Sequence, residues 1–119
     1  MKTFNYESNG LKFRDCYFDI GEYEKGKISL AIYGYIENDI NISHISNVTI
    51  NVEGKLKSNE IVIDNYANSN LISFLLDLGI VTKIVSRIAV KLIVYPIAEL
   101  DLEILKQYSF LKEELKYAS

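Results

Sequence analysis

Two stretches of strict alternation constrain this chain more than anything else in it. Within residues 27–37, Ile28, Leu30, Ile32 and Ile36 alternate with Ser29, Ala31, Tyr33 and Tyr35. Within residues 47–53, Val48, Ile50 and Val52 alternate with Asn47, Thr49, Asn51 and Glu53. A period of two sends successive side chains to opposite sides of a sheet, so both stretches predict strands with one buried face. A chain carrying them must also supply neighbouring strands and a layer over the apolar side.

The neighbours can be read in order. Asn9-Gly10 lies between the β-prone runs 3–6 and 11–20, and both residues tolerate the positive φ angles of a tight hairpin. The second run changes phase: Leu11 and Phe13 share one face, whereas Cys16, Phe18 and Ile20 share the other. A β-bulge near Arg14-Asp15 reconciles them. Residues 21–26 form a turn, 38–46 a polar loop rich in asparagine, 54–59 a turn and 60–64 a short strand. Residues 68–78 predict a helix, with Asn68 or Ser69 as the cap, Leu71, Phe74, Leu75 and Leu78 on one side and Gly79 as the stop. Residues 83–95 read as one long strand that Pro96 ends, and residues 101–117 as a second helix striped by Leu105, Tyr108, Leu111 and Leu115. The expectation is an α+β fold: a single globular domain over 1–119, with a mostly antiparallel sheet of about five to six strands covered by two helices.

Composition narrows the function classes. With 119 residues, 49% of them hydrophobic, the chain can build a core without staples, and its one cysteine, Cys16, cannot form an internal disulfide. Together with an N-terminus lacking the apolar run of a signal peptide, this predicts a cytoplasmic protein. No apolar run approaches the roughly 20 residues of a membrane span. The net charge of −3 is spread along the chain, so neither a basic stripe for nucleic acid nor a dense acidic mimic of it is expected.

Candidate chemistry is sparse. His44, the only histidine, neighbours Ser43 and Ser46, but a triad also needs an orienting carboxylate. Cys16 alternates with Phe18 and Ile20, which points it into the core as a small hydrophobe. Asp15, Asp19, Glu22 and Glu24 flank a turn as a solvated edge and lack calcium-loop spacing. Glycines fall singly, without a phosphate-cradling loop. No catalytic, metal or cofactor residue is therefore assigned.

Nine tyrosines and no tryptophan are the unusual feature. Tyr33 and Tyr35 lie opposite the core row of their strand, and Tyr17 and Tyr95 join them if their strands pair in phase. Tyrosine offers stiff, amphipathic contact area, which suits a partner surface; it also suits plain packing on sheet neighbours.

The order of pieces carries a resemblance. Ile28-Ser29-Leu30-Ala31-Ile32-Tyr33 is followed by Asn47-Val48-Thr49-Ile50-Asn51-Val52, then Glu60-Ile61-Val62-Ile63-Asp64-Asn65, the helix up to Gly79, and Tyr95-Pro96. Across residues 28–96 this resembles a family of small accessory proteins from conjugative elements and phages of low-GC Gram-positive bacteria. The chain departs from the family's Asp-Thr-Asn-Asn run at Asp64-Asn65-Tyr66-Ala67-Asn68, and residues 101–117 are additional. That family has no established activity, so no functional residue is carried over. The resemblance implies a setting of mobile-element accessory genes, among which inhibitors of restriction and CRISPR systems are common.

The expected function is accordingly a non-enzymatic interaction protein that inhibits a host defence nuclease such as a CRISPR effector by protein–protein binding. Its expected contact residues are Tyr17, Asp19, Glu22, Tyr33, Tyr35, Glu37 and Tyr95, with Asp39 beside them. No direct nucleic-acid or membrane partner is expected. The alternatives are a small ligand-binding module or hydrolase using the Ser43/His44/Ser46 loop, and a self-associating subunit. A homodimer is suggested by Leu102, Phe110 and Tyr117, which lie off the stripe of the last helix.

Overall fold

The computed structural model describes residues 1–110. Asn9 and Gly10 adopt φ of 51° and 80° and join β1 (Phe4–Ser8) to β2 (Leu11–Glu22), with Ser8 opposite Leu11. The expected bulge is present: Asp15 has φ 51°, and pairing shifts from Phe13 opposite Ile36 and Arg14 opposite Tyr35 to Tyr17 opposite Tyr33. One additional residue there lets Phe13, Cys16 and Phe18 all enter the core.

The remaining elements are β3 (Ile28–Ile36), β4 (Ile42–Asn47), β5 (Glu60–Val62), α1 (Leu71–Leu78), β6 (Val81–Val90), β7 (Ile93–Leu100), α2 (Leu102–Gln107) and β8 (Ser109–Phe110). The fold is α+β, with antiparallel strand pairing except between β2 and β8. The strands divide into two sheets rather than one. The first has the order β1-β2-β3-β4 with β8 also on β2, and the second has the order β5-β7-β6.

The segment predicted as a strand over 47–53 is instead the joint between these sheets. Val48 N–H donates to the Leu30 carbonyl (2.8 Å), while the Val48 carbonyl accepts from Asp64 N–H (2.8 Å) and Ile50 N–H reaches the Val62 carbonyl (3.2 Å). The backbone serves the two sheets by turns, so no continuous ladder forms, although Val48 and Val52 are buried as the alternation requires. Thr49 anchors the joint. Its buried hydroxyl accepts from Leu30 N–H at 3.1 Å and lies 2.9 Å from Tyr23 Oη.

Four further expectations are corrected. Part of the predicted loop 38–46 is β4, an edge strand whose exposed polar residues hide the apolar signal. The predicted single strand 83–95 is the β6–β7 hairpin, turning at Lys91 (φ 58°) and Leu92. Pro96 does not end a strand: it pairs with Arg87 inside β7. Its carbonyl accepts from Ile63 N–H at 3.1 Å, so its missing N–H faces the same side, where β5 has already ended. The β6 ladder loses nothing by it. Finally, the helix predicted over 101–117 is α2 followed by β8, while 111–117 lie outside the described residues. Beyond the reach of β1, the edge of β2 is free. Phe18 N–H donates to the Tyr108 carbonyl (2.8 Å), which draws the chain out of the helix onto that edge.

The α1 helix starts later than predicted, because Asn68 Oδ1 accepts from Asn70 N–H (3.3 Å) in a local turn; Gly79 ends it at φ 81°. Leu71 and Leu75 are buried, and the Phe74 ring meets Phe4 and Tyr6 at 5.1 and 4.8 Å.

Gly34 marks the tightest point of the first sheet. A Cβ there would stand 2.6 Å from Cys16 Sγ and 3.1 Å from Cys16 Cα. Gly34→Ala should therefore lower stability by about 1–3 kcal/mol, the usual range for overpacking, read as a lower urea midpoint. An unchanged midpoint would show that β2 and β3 are not pressed together at this point.

Candidate functional site

The bulge at Asp15 has a second effect, on the face of the first sheet that points away from the core. Counting outward from it in both directions, Arg14, Tyr17 and Asp19 share that open face. Their cross-strand neighbours are Tyr35, Tyr33 and Ala31 on β3, then His44 and Ile42 on β4, with Phe110 of β8 beside Asp19. All of these except Ala31 and His44 line an open groove of about 880 Å³.

The walls are aromatic and support one another. Tyr17 and Tyr33 stack with centroids 6.1 Å apart and planes 20° apart. Phe110 meets Tyr17 at 6.1 Å, and His44 stands edge-on to Tyr33 at 5.3 Å. The Arg14 guanidinium lies 4.8 Å from the centre of the Tyr35 ring, held by Asp15 Oδ2 (2.8 Å) and the Asp39 carbonyl (2.7 Å). At the rim, Ile40 is 88% exposed and Phe110 39% exposed. Burial raises the pKa of the Tyr17 hydroxyl above its ordinary value, with further upward pressure from Tyr35, Asp19 and Tyr33.

Of the seven expected contact residues, Tyr17, Asp19, Tyr33 and Tyr35 converge here. The other three do not. Glu22 sits at the far end of β2, opposite Ile28. Glu37 follows β3 and borders a separate cleft with Lys12 and Phe13. Tyr95 belongs to the second sheet, where its ring meets Tyr66 at 5.4 Å. The expectation that Tyr95 shares a face with Tyr33 fails because their strands lie in different sheets. Arg14, Asp15, Ile40, Ile42 and Phe110, with Met1 and Thr3, are the groove residues that sequence reasoning missed. The signals available were the phase change at the bulge for Arg14 and the off-stripe position for Phe110.

The alternative sites are not assembled. His44 lies on β4, not in a loop, and its Nε2 is 2.9 Å from Asn47 Oδ1. Ser46 Oγ donates to the Asn47 carbonyl, and Ser43 falls on the opposite side of the strand from His44. Among the described residues, no group of three or more His, Cys, Asp or Glu side chains could hold a metal ion. No helix among them is long and apolar enough to cross a membrane.

Comparison with protein-family models, with curated proteins and with solved structures gave no match.

Cys16 is buried with 0% exposure, and loss of solvation pushes its thiol up to about 11. Since the unfolded thiol ionises near 9, the unfolded chain holds fewer protons between those values, and stability must fall as pH rises from about 9 towards 11. Native protein should react with a thiol-specific disulfide reagent only at the rate of unfolding, and Cys16→Ala should flatten the stability loss over this pH range. Immediate reaction at neutral pH would place the thiol at the surface.

Proposed function

We propose that this protein is a non-enzymatic interaction module that holds a protein partner in the tyrosine-lined groove on the open face of its first sheet. The convergence of Tyr17, Tyr33, Tyr35 and Phe110, brought from three strands to one exposed surface, carries this reading. Stacked rings are already ordered before binding, so little side-chain entropy is lost on contact, which is why such residues anchor interfaces. The exposed Ile40 and Ile42 extend the apolar area and have no role in the core.

The resemblance over residues 28–96 supports a mobile-element accessory protein acting on a host defence nuclease, including a CRISPR effector. With Glu22 and Glu37 outside the groove, that contact would be made by aromatic packing and not by an acidic strip. The size of the groove also suits a small ligand, since such pockets span roughly 300–1,000 Å³. A thermal-shift screen of metabolites and nucleotides would favour that second reading if a compound raised the melting temperature only while Tyr33 and Tyr35 were intact.

The direct test uses three tagged forms of the protein in host lysate. Tyr33→Ser with Tyr35→Ser should reduce recovery of a stoichiometric partner at least about tenfold, the scale of an aromatic anchor. Tyr66→Ser with Tyr95→Ser should leave it unchanged. The reverse pattern would move the interface to the second sheet.

A further inference from the structure

Covering the groove would create an electrostatic problem at one residue, and that problem specifies the partner's chemistry. Among the described residues the ion pairs are Arg14 with Asp15 and Lys83 with Glu99, so none involves Asp19. Arg14, the cation within the groove, is already committed to Asp15, the Asp39 carbonyl and the Tyr35 ring. Asp19 is exposed and shares its face with Tyr17 along β2. Its lateral neighbours are Phe110 on one side and the small Ala31 on the other. The Tyr17–Tyr33 stack, Phe110 and the Asp19 carboxylate all border the groove at this end.

Resting on the reading of the groove as a docking site, we infer that its occupant is a protein segment that sets one lysine or arginine cation against Asp19. The stem of that side chain lies along the Tyr17 and Phe110 rings. A purely apolar segment would strip water from the Asp19 carboxylate and return nothing, and an acidic one would add repulsion. A basic side chain satisfies both surfaces at once, because its methylene stem packs on rings while its head remains beside the carboxylate. The same face already displays this pairing in Arg14 over Tyr35. Asp19 also pushes the Tyr17 hydroxyl upward, as a carboxylate near that ring does.

The test is an NMR titration of the full chain with N-acetyl-arginine amide and, separately, with its neutral isostere N-acetyl-citrulline amide. It is run on the wild type and on Asp19→Asn, each also carrying Lys112→Gln and Lys116→Gln so that a lysine of the chain's own C-terminal residues cannot fill the site. The arginine probe should shift the amides of Tyr17, Asp19, Ala31 and Phe110, and should bind Asp19→Asn about threefold more weakly, the scale of one partly exposed charge contact. The citrulline probe should leave these amides in place. Equal binding of the two probes, shifts confined to another surface, or no effect of Asp19→Asn would overturn the inference. Partner capture separates the two claims. If Asp19→Asn keeps a partner that Tyr33→Ser with Tyr35→Ser loses, the cation is wrong and the groove stands. If the tyrosine pair keeps it as well, the groove reading fails first.

Discussion

The backbone at Asp15 is the constraint from which both faces of the first sheet follow. A strand has a period of two, so a single inserted residue inverts the facing of everything beyond it. The hairpin half of β2 buries Phe13, and the later half buries Cys16 and Phe18, at odd spacing that no regular strand can satisfy. Holding Asp15 at φ 51° costs about 1–2 kcal/mol for a residue with a Cβ, and aspartate is among those that tolerate it best. Turning the later half over would expose Phe18, whose burial alone is worth about 1.5–3 kcal/mol, along with Cys16. Burial outweighs strain, so the bulge persists. The same inversion brings Arg14 and Tyr17 onto one open face, so the candidate site is a by-product of how the core is filled.

A second constraint holds the sheets together. Buried side chains of the first sheet (Phe18, Leu30, Ile32) and of the second (Ile61, Val81, Leu100) belong to one apolar cluster. The backbone between them must pass through that cluster, and every buried polar group there needs a partner. Thr49 supplies it, with its hydroxyl serving Leu30 N–H and standing beside Tyr23 Oη. The core therefore has a polar pin at its seam, and β3 keeps a fixed relation to the chain leading into β5.

Sequence patterns were informative wherever one local rule acted alone. The Asn9-Gly10 turn, the bulge, β3 and the Gly79 stop each follow from backbone preference combined with a single buried face. Legibility failed where a segment answered to two neighbours or to none. Residues 48–50 alternate like a strand yet divide their hydrogen bonds between two sheets. β4 lies at an edge, so burial selects few of its side chains. β6 and β7 are apolar on both sides of a tight turn without the usual asparagine-glycine pair, and the junction was invisible. β8 exists only because β2 is longer than β1, which no local pattern in residues 102–110 encodes. The site was legible to the same degree. Tyr17, Tyr33 and Tyr35 follow from strand parity, whereas excluding Tyr95 required knowing that there are two sheets.

The central claim is that the tyrosines of the open face act as one contact surface, distinct from the buried Tyr6 and from the Tyr66–Tyr95 pair of the second sheet. The most direct measurement is residue-resolved tyrosine footprinting by nitration and mass spectrometry, on the free protein and on the protein bound to its captured partner. The account predicts that Tyr17, Tyr33 and Tyr35 react in the free protein and become protected together in the complex, while Tyr66 stays reactive in both. Protection centred on Tyr66 and Tyr95, with Tyr33 and Tyr35 unchanged, would contradict it.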